Sequence, residues 1–491
     1  MSKAQTGIRG LDDVLSGGLT RSRLYLLEGL AGAGKTTLAM QFLIEGARRG
    51  ERVLYVTLSE SEEEIRAVAA SHGWTLDGIT IRDFGPSEEN LRPDEQYTMF
   101  HPSEVELGET MKAILADVEK LRPRRAVFDS LSELRLLAGN SLKFRRQILA
   151  LKQYLNGRDC TVLLLDDMVT PDRDHQVSSI AHGVVNLEQM NPEYGAERRR
   201  LRVIKYRGVQ FRGGYHDFCI RPGGLHVFSR LVAAEHREKV PQQRLVSGIA
   251  ELDALLGGGL ESGTSTLIVG SAGTGKSTLA SQFCAAAAGR GENATMFIFD
   301  ENQETLLTRT DGLGIPLRRE LASGRIKIQQ VDPAELSPGE FAGALRHAVE
   351  EDQASIVVID SLNGYLNAMP GERFLAVQLH ELLMYLNQQG VATLLIGAHQ
   401  GLIGTNMVTP VDASYLADAV ILLRYFEARG EVRQAISVVK KRGGDHERTI
   451  REFTLSGGRI TIGRPLREFR GVLTGVPIFE GASEDGKGQK V

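Results

Sequence analysis

The sequence predicts an α/β protein made of two tandem copies of one domain, each organised round a mainly parallel sheet. Three observations carry that expectation. The run TGIRGLDDVLSGGL from Thr6 returns as SGIAELDALLGGGL from Ser247, an offset of 247 − 6 = 241. The run GLAGAGKTTLAMQF from Gly29 returns as GSAGTGKSTLASQF from Gly270 at the same offset, and two long matches at one period mark a duplication. Within each copy short apolar runs alternate with helical patterns, the signature of βαβ units and of a sheet covered on both faces.

Taken in chain order, each copy opens with an apolar strand, LYLLEG or TLIVG, then a Gly-rich turn and a helix, LAMQFLIEGARR or LASQFCAAAAGR. The next strand keeps the offset, since VLYVTLSE ends at Glu60 and TMFIFDE at Glu301. A later strand ends VFDS with Asp129 in the first copy and VIDS with Asp360 in the second, and 360 − 129 is 231. The first copy therefore carries ten extra residues, most simply in the polar, Pro-containing stretch from Phe84 to Glu104, which reads as a surface loop. Further apolar strands follow at Thr161–Asp167 and Ala392–His399. These signals divide the chain into a first domain over 1–232, a linker over 233–244 containing Pro241, a second domain over 245–480, and a disordered tail over 481–491.

At 491 residues the chain exceeds what one compact core organises. With 42% hydrophobic and 24% charged residues, the composition argues against both disordered and fibrous classes. The net charge of −4 argues against affinity driven by a phosphate backbone, so nucleic acid is an unlikely partner. Cys160, Cys219 and Cys284 lie far apart and form no CxxC pair, which reads as reduced core thiols rather than metal ligands. No stretch reaches the roughly 18 apolar residues that cross a bilayer, and the N-terminus has no apolar leader; the expectation is a soluble, cytoplasmic protein with no membrane partner.

Both Gly29-x4-Gly34-Lys35-Thr36 and Gly270-x4-Gly275-Lys276-Ser277 satisfy GxxxxGK[ST], each between a strand and a helix. In that context the backbone curls round a phosphate, the Lys reaches the β/γ-phosphates and the hydroxyl ligates Mg²⁺. The expected nucleotide contacts are Gly29, Gly32, Ala33, Gly34, Lys35, Thr36 and Thr37 in the first copy. Their counterparts are Gly270, Gly273, Thr274, Gly275, Lys276, Ser277 and Thr278. Asp129 and Asp360, at the ends of buried strands, suit a Walker B role, so the metal set is Thr36 with Asp129 and Ser277 with Asp360. A carboxylate that orients the attacking water is sought at Glu60 and at Asp300–Glu301, read as lying one strand over from the P-loop. Lys205 with Arg207 in IKYRG, and Lys440 with Arg442 in VKKRGGDH, alternate along strands and form a possible phosphate clamp.

The order and duplication of these motifs resemble the double-domain, RecA-fold KaiC family over nearly the whole chain. The opening GIxxLDxxLxGGL, YVTLSE, SHGW at Ser71–Trp74, the IDS strand and Asp418–Gly443 carry the resemblance. It implies two RecA-like domains, ATP and Mg²⁺ as cofactors, Ser71 among the nucleotide contacts, and a homo-hexamer with ATP at subunit interfaces. Lys205, Arg207, Lys440 and Arg442 would then act in trans. It also implies slow ATP hydrolysis and, in clock members, Ser/Thr autokinase activity in the second domain. Three departures point to a member outside the oscillator. Ser59–Glu60 replaces a glutamate pair, so first-domain hydrolysis rests on Glu60. Ser414–Tyr415 replaces an adjacent Ser-Thr pair, leaving Ser414 as the possible phosphosite. The segment after Phe479 is short. The alternatives are a RecA-, RadA- or DnaB-like DNA-dependent ATPase, and a nucleotide-gated scaffold for an unknown signalling partner.

Overall fold

The computed structural model describes residues 2–85, 102–167, 176–192, 194–236, 243–332, 334–367, 374–398, 415–472 and 478–479. Two compact units result, Met1–Arg230 and Leu231–Val491.

The sheet of the first unit has nine strands: β1 (Leu24–Gly29), β2 (Val53–Thr57), β3 (Ile79–Asp83), β4 (Arg125–Asp129), β5 (Thr161–Asp167), β6 (Gly183–Met190), β7 (Arg198–Tyr206), β8 (His216–Arg221) and β9 (Gly224–Phe228). Their spatial order is β9-β8-β7-β6-β1-β5-β4-β2-β3. From β3 to β6 every neighbouring pair is parallel, and β7, β8 and β9 extend the sheet antiparallel. The central strands are buried nearly end to end, since helices cover both faces. Alternate side chains serve opposite layers: Tyr55 and Val127 enter one core with Phe42 of the P-loop helix, while Val56 and Phe128 enter the other with Phe144.

The second unit repeats this plan. Its strands are β10 (Ser265–Gly270), β11 (Asn293–Ile298), β12 (Ile326–Gln330), β13 (Ala354–Asp360), β14 (Ala392–Ala398), β15 (Ala419–Ala428), β16 (Glu431–Lys441), β17 (Arg451–Ser456) and β18 (Arg459–Pro465). The order β18-β17-β16-β15-β10-β14-β13-β11-β12 matches the first sheet strand for strand.

Three readings change. The strand carrying Glu60 or Glu301 is not one over from the P-loop strand: β5 and β4, or β14 and β13, stand between them. Chain adjacency misled here, because the next strand in sequence pairs on the far side of the Asp129 or Asp360 strand. The ten-residue difference is also a net figure. From Gly29 to Ile79 is 50 residues against 56 from Gly270 to Ile326, and the second copy there holds a short helix, Leu317–Ala322. From Asp83 to Asp129 is 46 against 30 from Gln330 to Asp360, part of it in a helix of 20 residues (Pro102–Leu121) against one of 13 (Pro338–Glu350). Finally, Ala233–His236, read as the start of a linker, forms a 3₁₀ turn on the second unit. There the Ala233 amide donates to Glu381 Oε2 at 3.3 Å, and His236 meets the Tyr385 ring edge-on at 5.0 Å.

Candidate functional site

In the first unit β1 runs into the P-loop and the helix Lys35–Arg48 begins directly after Gly34. Gly34 has φ +98° and a Cβ there would lie 2.8 Å from Ile220 Cδ1; a Cβ on Gly29 would lie 2.6 Å from the Leu187 carbonyl oxygen on β6. Both positions thus exclude side chains, one through its left-handed backbone and the other through close packing. Ala33 and Thr37 are buried beneath the turn, and Gly32 also has positive φ.

Lys35, itself buried, donates from Nζ to the carbonyls of Gly29 (2.9 Å) and Leu30 (2.8 Å) and pairs with Asp167 Oδ1 at 2.7 Å. The Thr36 hydroxyl donates to Asp129 Oδ2 at 2.9 Å, and the Tyr55 hydroxyl donates to the same oxygen at 2.6 Å. Burial pushes the Asp129 carboxyl up, and the two hydroxyl donors counter it. Glu60 follows β2; its amide donates to Thr57 Oγ1 at 3.0 Å and its carbonyl accepts from that hydroxyl at 2.6 Å, which closes the turn. Its carboxylate has no ion-pair partner among the described residues. Partial burial and then the negative charge of Asp129, with Glu64 and Asp167 beyond, raise its proton affinity.

The second unit has the same frame with different partners. Gly275 has φ +93° and would meet Leu455 Cδ1 at 2.6 Å; Gly270 would meet the Leu423 carbonyl oxygen at 2.3 Å; Gly273 has φ +78°. Thr274 and Thr278 are buried. Lys276 donates to the Ser271 carbonyl at 2.8 Å, and burial pulls its ammonium down despite the attraction of Asp360. Ser277 hydrogen-bonds Asp360, whose carboxyl burial pushes up. A cavity of about 450 Å³ opens over this turn, lined in part by Gly273, Gly275, Lys276, Ser277, Arg309 and Gly312. Glu301 accepts from Arg309 through both oxygens, at 2.6 and 2.8 Å, while Asp300 accepts from the Ser361 hydroxyl.

Several of these partners had no motif to announce them. Tyr55 corresponds to Met296 and Asp167 to Ala398, so each belongs to the first site alone; Arg309 corresponds to Val68 and belongs to the second. The available signal was the repeat itself: a polar residue in one copy facing an apolar residue in the other.

Other expected contacts lie elsewhere. Ser71 donates to the Val68 carbonyl at 2.7 Å and no described bond joins it to the P-loop, although Gly312, its counterpart at the 241 offset, lines the second cavity. Lys205 sits beside Tyr206, which pairs with Gly183 and through it with Tyr25, at the start of β1 and the opposite end from Gly29. Lys440 likewise pairs with Val420 and through it with Leu267, near the start of β10. Lys205 donates to the Ser178 carbonyl at 2.6 Å and Arg207 to Ser179 at 2.7 Å; Lys440 donates to Ala417 at 2.7 Å and Arg442 to Tyr415 at 2.8 Å. Burial and then repulsion from Arg23, Arg207 and Lys152 depress His182, and burial and then repulsion from Arg207 and Lys152 depress Lys205. Ser414 lies outside the described residues.

Each turn brings one hydroxyl to one buried carboxylate. These are hard oxygen donors in the small number that Mg²⁺ takes from a protein while keeping most of its water, so the residues fit that ion. The frame of Gly-rich turn, buried Lys and hydroxyl–carboxylate pair defines a P-loop NTPase site, present twice.

The chain belongs to the KaiC ATPase family, whose model matches residues 4–232 and 245–467. It is 28% identical to the circadian clock protein KaiC3 of Synechocystis sp., over 99% of this chain and 96% of that relative. It is 28% identical to the circadian clock oscillator protein KaiC of Picosynechococcus sp., over 97% of this chain and 92% of the relative. Identity to the protein of that name from Synechococcus elongatus is 27% over the same shares. The chain therefore carries two ATP-binding ATPase domains of RecA-like fold. Among the described residues no helix is long and apolar enough to cross a membrane.

Proposed function

We propose that both sites hydrolyse Mg-ATP and that the chain works as a homo-hexamer in which each nucleotide lies between two protomers. The observation that carries this reading is the repeated pairing of a P-loop hydroxyl with a buried strand-end carboxylate, Thr36 with Asp129 and Ser277 with Asp360. When bound, Mg²⁺ would supply charge neutralisation of the phosphates and would be held by these two pairs. Lys35 and Lys276, with the turn amides, orient the β- and γ-phosphates. Glu60 and Glu301 orient the attacking water, and Asp300 steadies the turn beside Glu301 through Ser361.

The hexamer is supported by where the basic pairs fall. Lys205, Arg207, Lys440 and Arg442 lie at the end of each sheet opposite its own P-loop, so any triphosphate they clamp is not the one held by their own turn, and a neighbouring protomer supplies it in the hexamer. The repulsion among Lys205, Arg207, Lys152 and His182 is what an external anion relieves. Residence in the cytoplasm follows the sequence reading, an unknown signalling protein as partner belongs to the scaffold alternative, and autokinase activity at Ser414 rests on the family resemblance; phosphosite mapping after incubation with labelled ATP tests the last.

Glu60→Gln with Glu301→Gln is expected to retain nucleotide binding and lower turnover at least about a hundred-fold. Single-stranded DNA is expected to leave the wild-type rate unchanged. Stimulation by DNA would instead favour the DNA-dependent ATPase, and full turnover by the double variant would remove both glutamates from the mechanism.

A further inference from the structure

The two sites differ in how their candidate water-orienting carboxylates are held. At the first, the charges acting on Glu60 among the described residues are those of the acidic groups Asp129, Glu64 and Asp167, and it has no ion-pair partner among them. At the second, the Arg309 guanidinium grips both oxygens of Glu301. The pair is half-buried, with Glu301 22% and Arg309 37% exposed. The Arg309 Nε has no partner among the described residues, so the guanidinium meets Glu301 end-on through its two terminal nitrogens. Arg309 stands on the helix Gln303–Gly312, follows Glu301 by eight residues, and lines the cavity over the second P-loop. Its first-unit counterpart is Val68, which can make no such bond.

A carboxylate that orients water needs an oxygen free to accept from that water. A bidentate, charge-assisted grip fills one acceptor site on each oxygen, fixes the plane of the carboxylate and weakens both oxygens as acceptors for water. We propose that Arg309 is a positioning residue that restrains Glu301, so that hydrolysis at the second site is slower while this ion pair is closed than once it has opened. The first site lacks the restraint. The proposal rests on the reading of Glu301 as the water-orienting residue, and the experiment separates the two.

Second-site turnover is measured in the full chain carrying Lys35→Ala, which disables the first site. Glu301→Gln is expected to abolish turnover. Arg309→Gln is expected to raise kcat about ten-fold, the size of one charge-assisted bond released, with KM changed less than about two-fold. Arg309→Lys keeps a charge but not the fork, and is expected to fall between. Arg309→Gln with Glu301→Gln remains inactive. Independently of turnover, a thermal double-mutant cycle on nucleotide-free protein is expected to show the two substitutions coupled, the double variant melting no lower than the worse single one. If Glu301→Gln leaves turnover intact, the reading of Glu301 fails and the proposal with it. If Glu301→Gln is inactive but Arg309→Gln is unchanged or slower, or the melting shifts simply add, the restraint alone is overturned.

Discussion

Asp167 shows how one side chain reshapes a shared frame. It holds the P-loop lysine of the first site at 2.7 Å, whereas Ala398 leaves Lys276 with its carbonyl partner. A nucleotide must take Lys35 from that carboxylate before its phosphates gain the ammonium. The carboxylate is 30% exposed, so solvent screening keeps the competition modest. Asp167→Asn is expected to tighten ATP binding at the first site about ten-fold, read by titration in a Lys276→Ala background. The same change removes one of the charges that raise Glu60. As the proposed water-orienting residue Glu60 has to be ionised, so its raised proton affinity is expected to put the acid limb of first-site turnover above the ordinary glutamate range, and Asp167→Asn to move that limb to lower pH. Weaker binding, or an acid limb that does not move, would contradict this role. The glycines, lysines and hydroxyls were legible in sequence because the turn demands them at fixed spacing. Tyr55, Asp167 and Arg309 were not, because each reaches the site across the sheet or along a helix from a position no motif specifies.

At the scale of elements, the antiparallel edge of the first sheet is pinned by a buried histidine. His216 opens β8; its Nε2 donates to the Arg212 carbonyl at 3.0 Å and its Nδ1 accepts from the Arg230 amide at 2.8 Å. Burial pulls its pKa down to about 4 from 6.5. Above pH 6.5 both folded and unfolded chains carry it neutral and its contribution is complete. Between 6.5 and 4 only the unfolded chain takes up the proton, and stability is lost as the pH falls. The loss is on the order of 3 kcal/mol by pH 4. His216→Gln, which keeps a donor and an acceptor, is expected to flatten the fall of the first unit's unfolding midpoint across that window; an equally steep fall would contradict the assignment. Strand existence was legible from apolar runs such as LYLLEG and IVVID. Strand order was not, since placing β5 and β4 between the P-loop strand and β2 depends on long-range parallel pairing that local pattern does not encode.

At the scale of the whole molecule the chain is one design used twice, with two sheets of identical strand order carrying two ATPase sites that share a frame and differ in their surroundings. The duplication was legible because the turn and its flanking elements recur at 241 residues. The divergence lay in insertions on both sides of Ile79 and Ile326, which partly cancel in length and so concealed each other. The most direct test of the central claim counts nucleotides bound per chain at saturating Mg-ATP analogue. The account predicts two for the wild type, one for Lys35→Ala, one for Lys276→Ala and none for the double variant, since each lysine stands in its own turn. Undiminished binding by the double variant would contradict it.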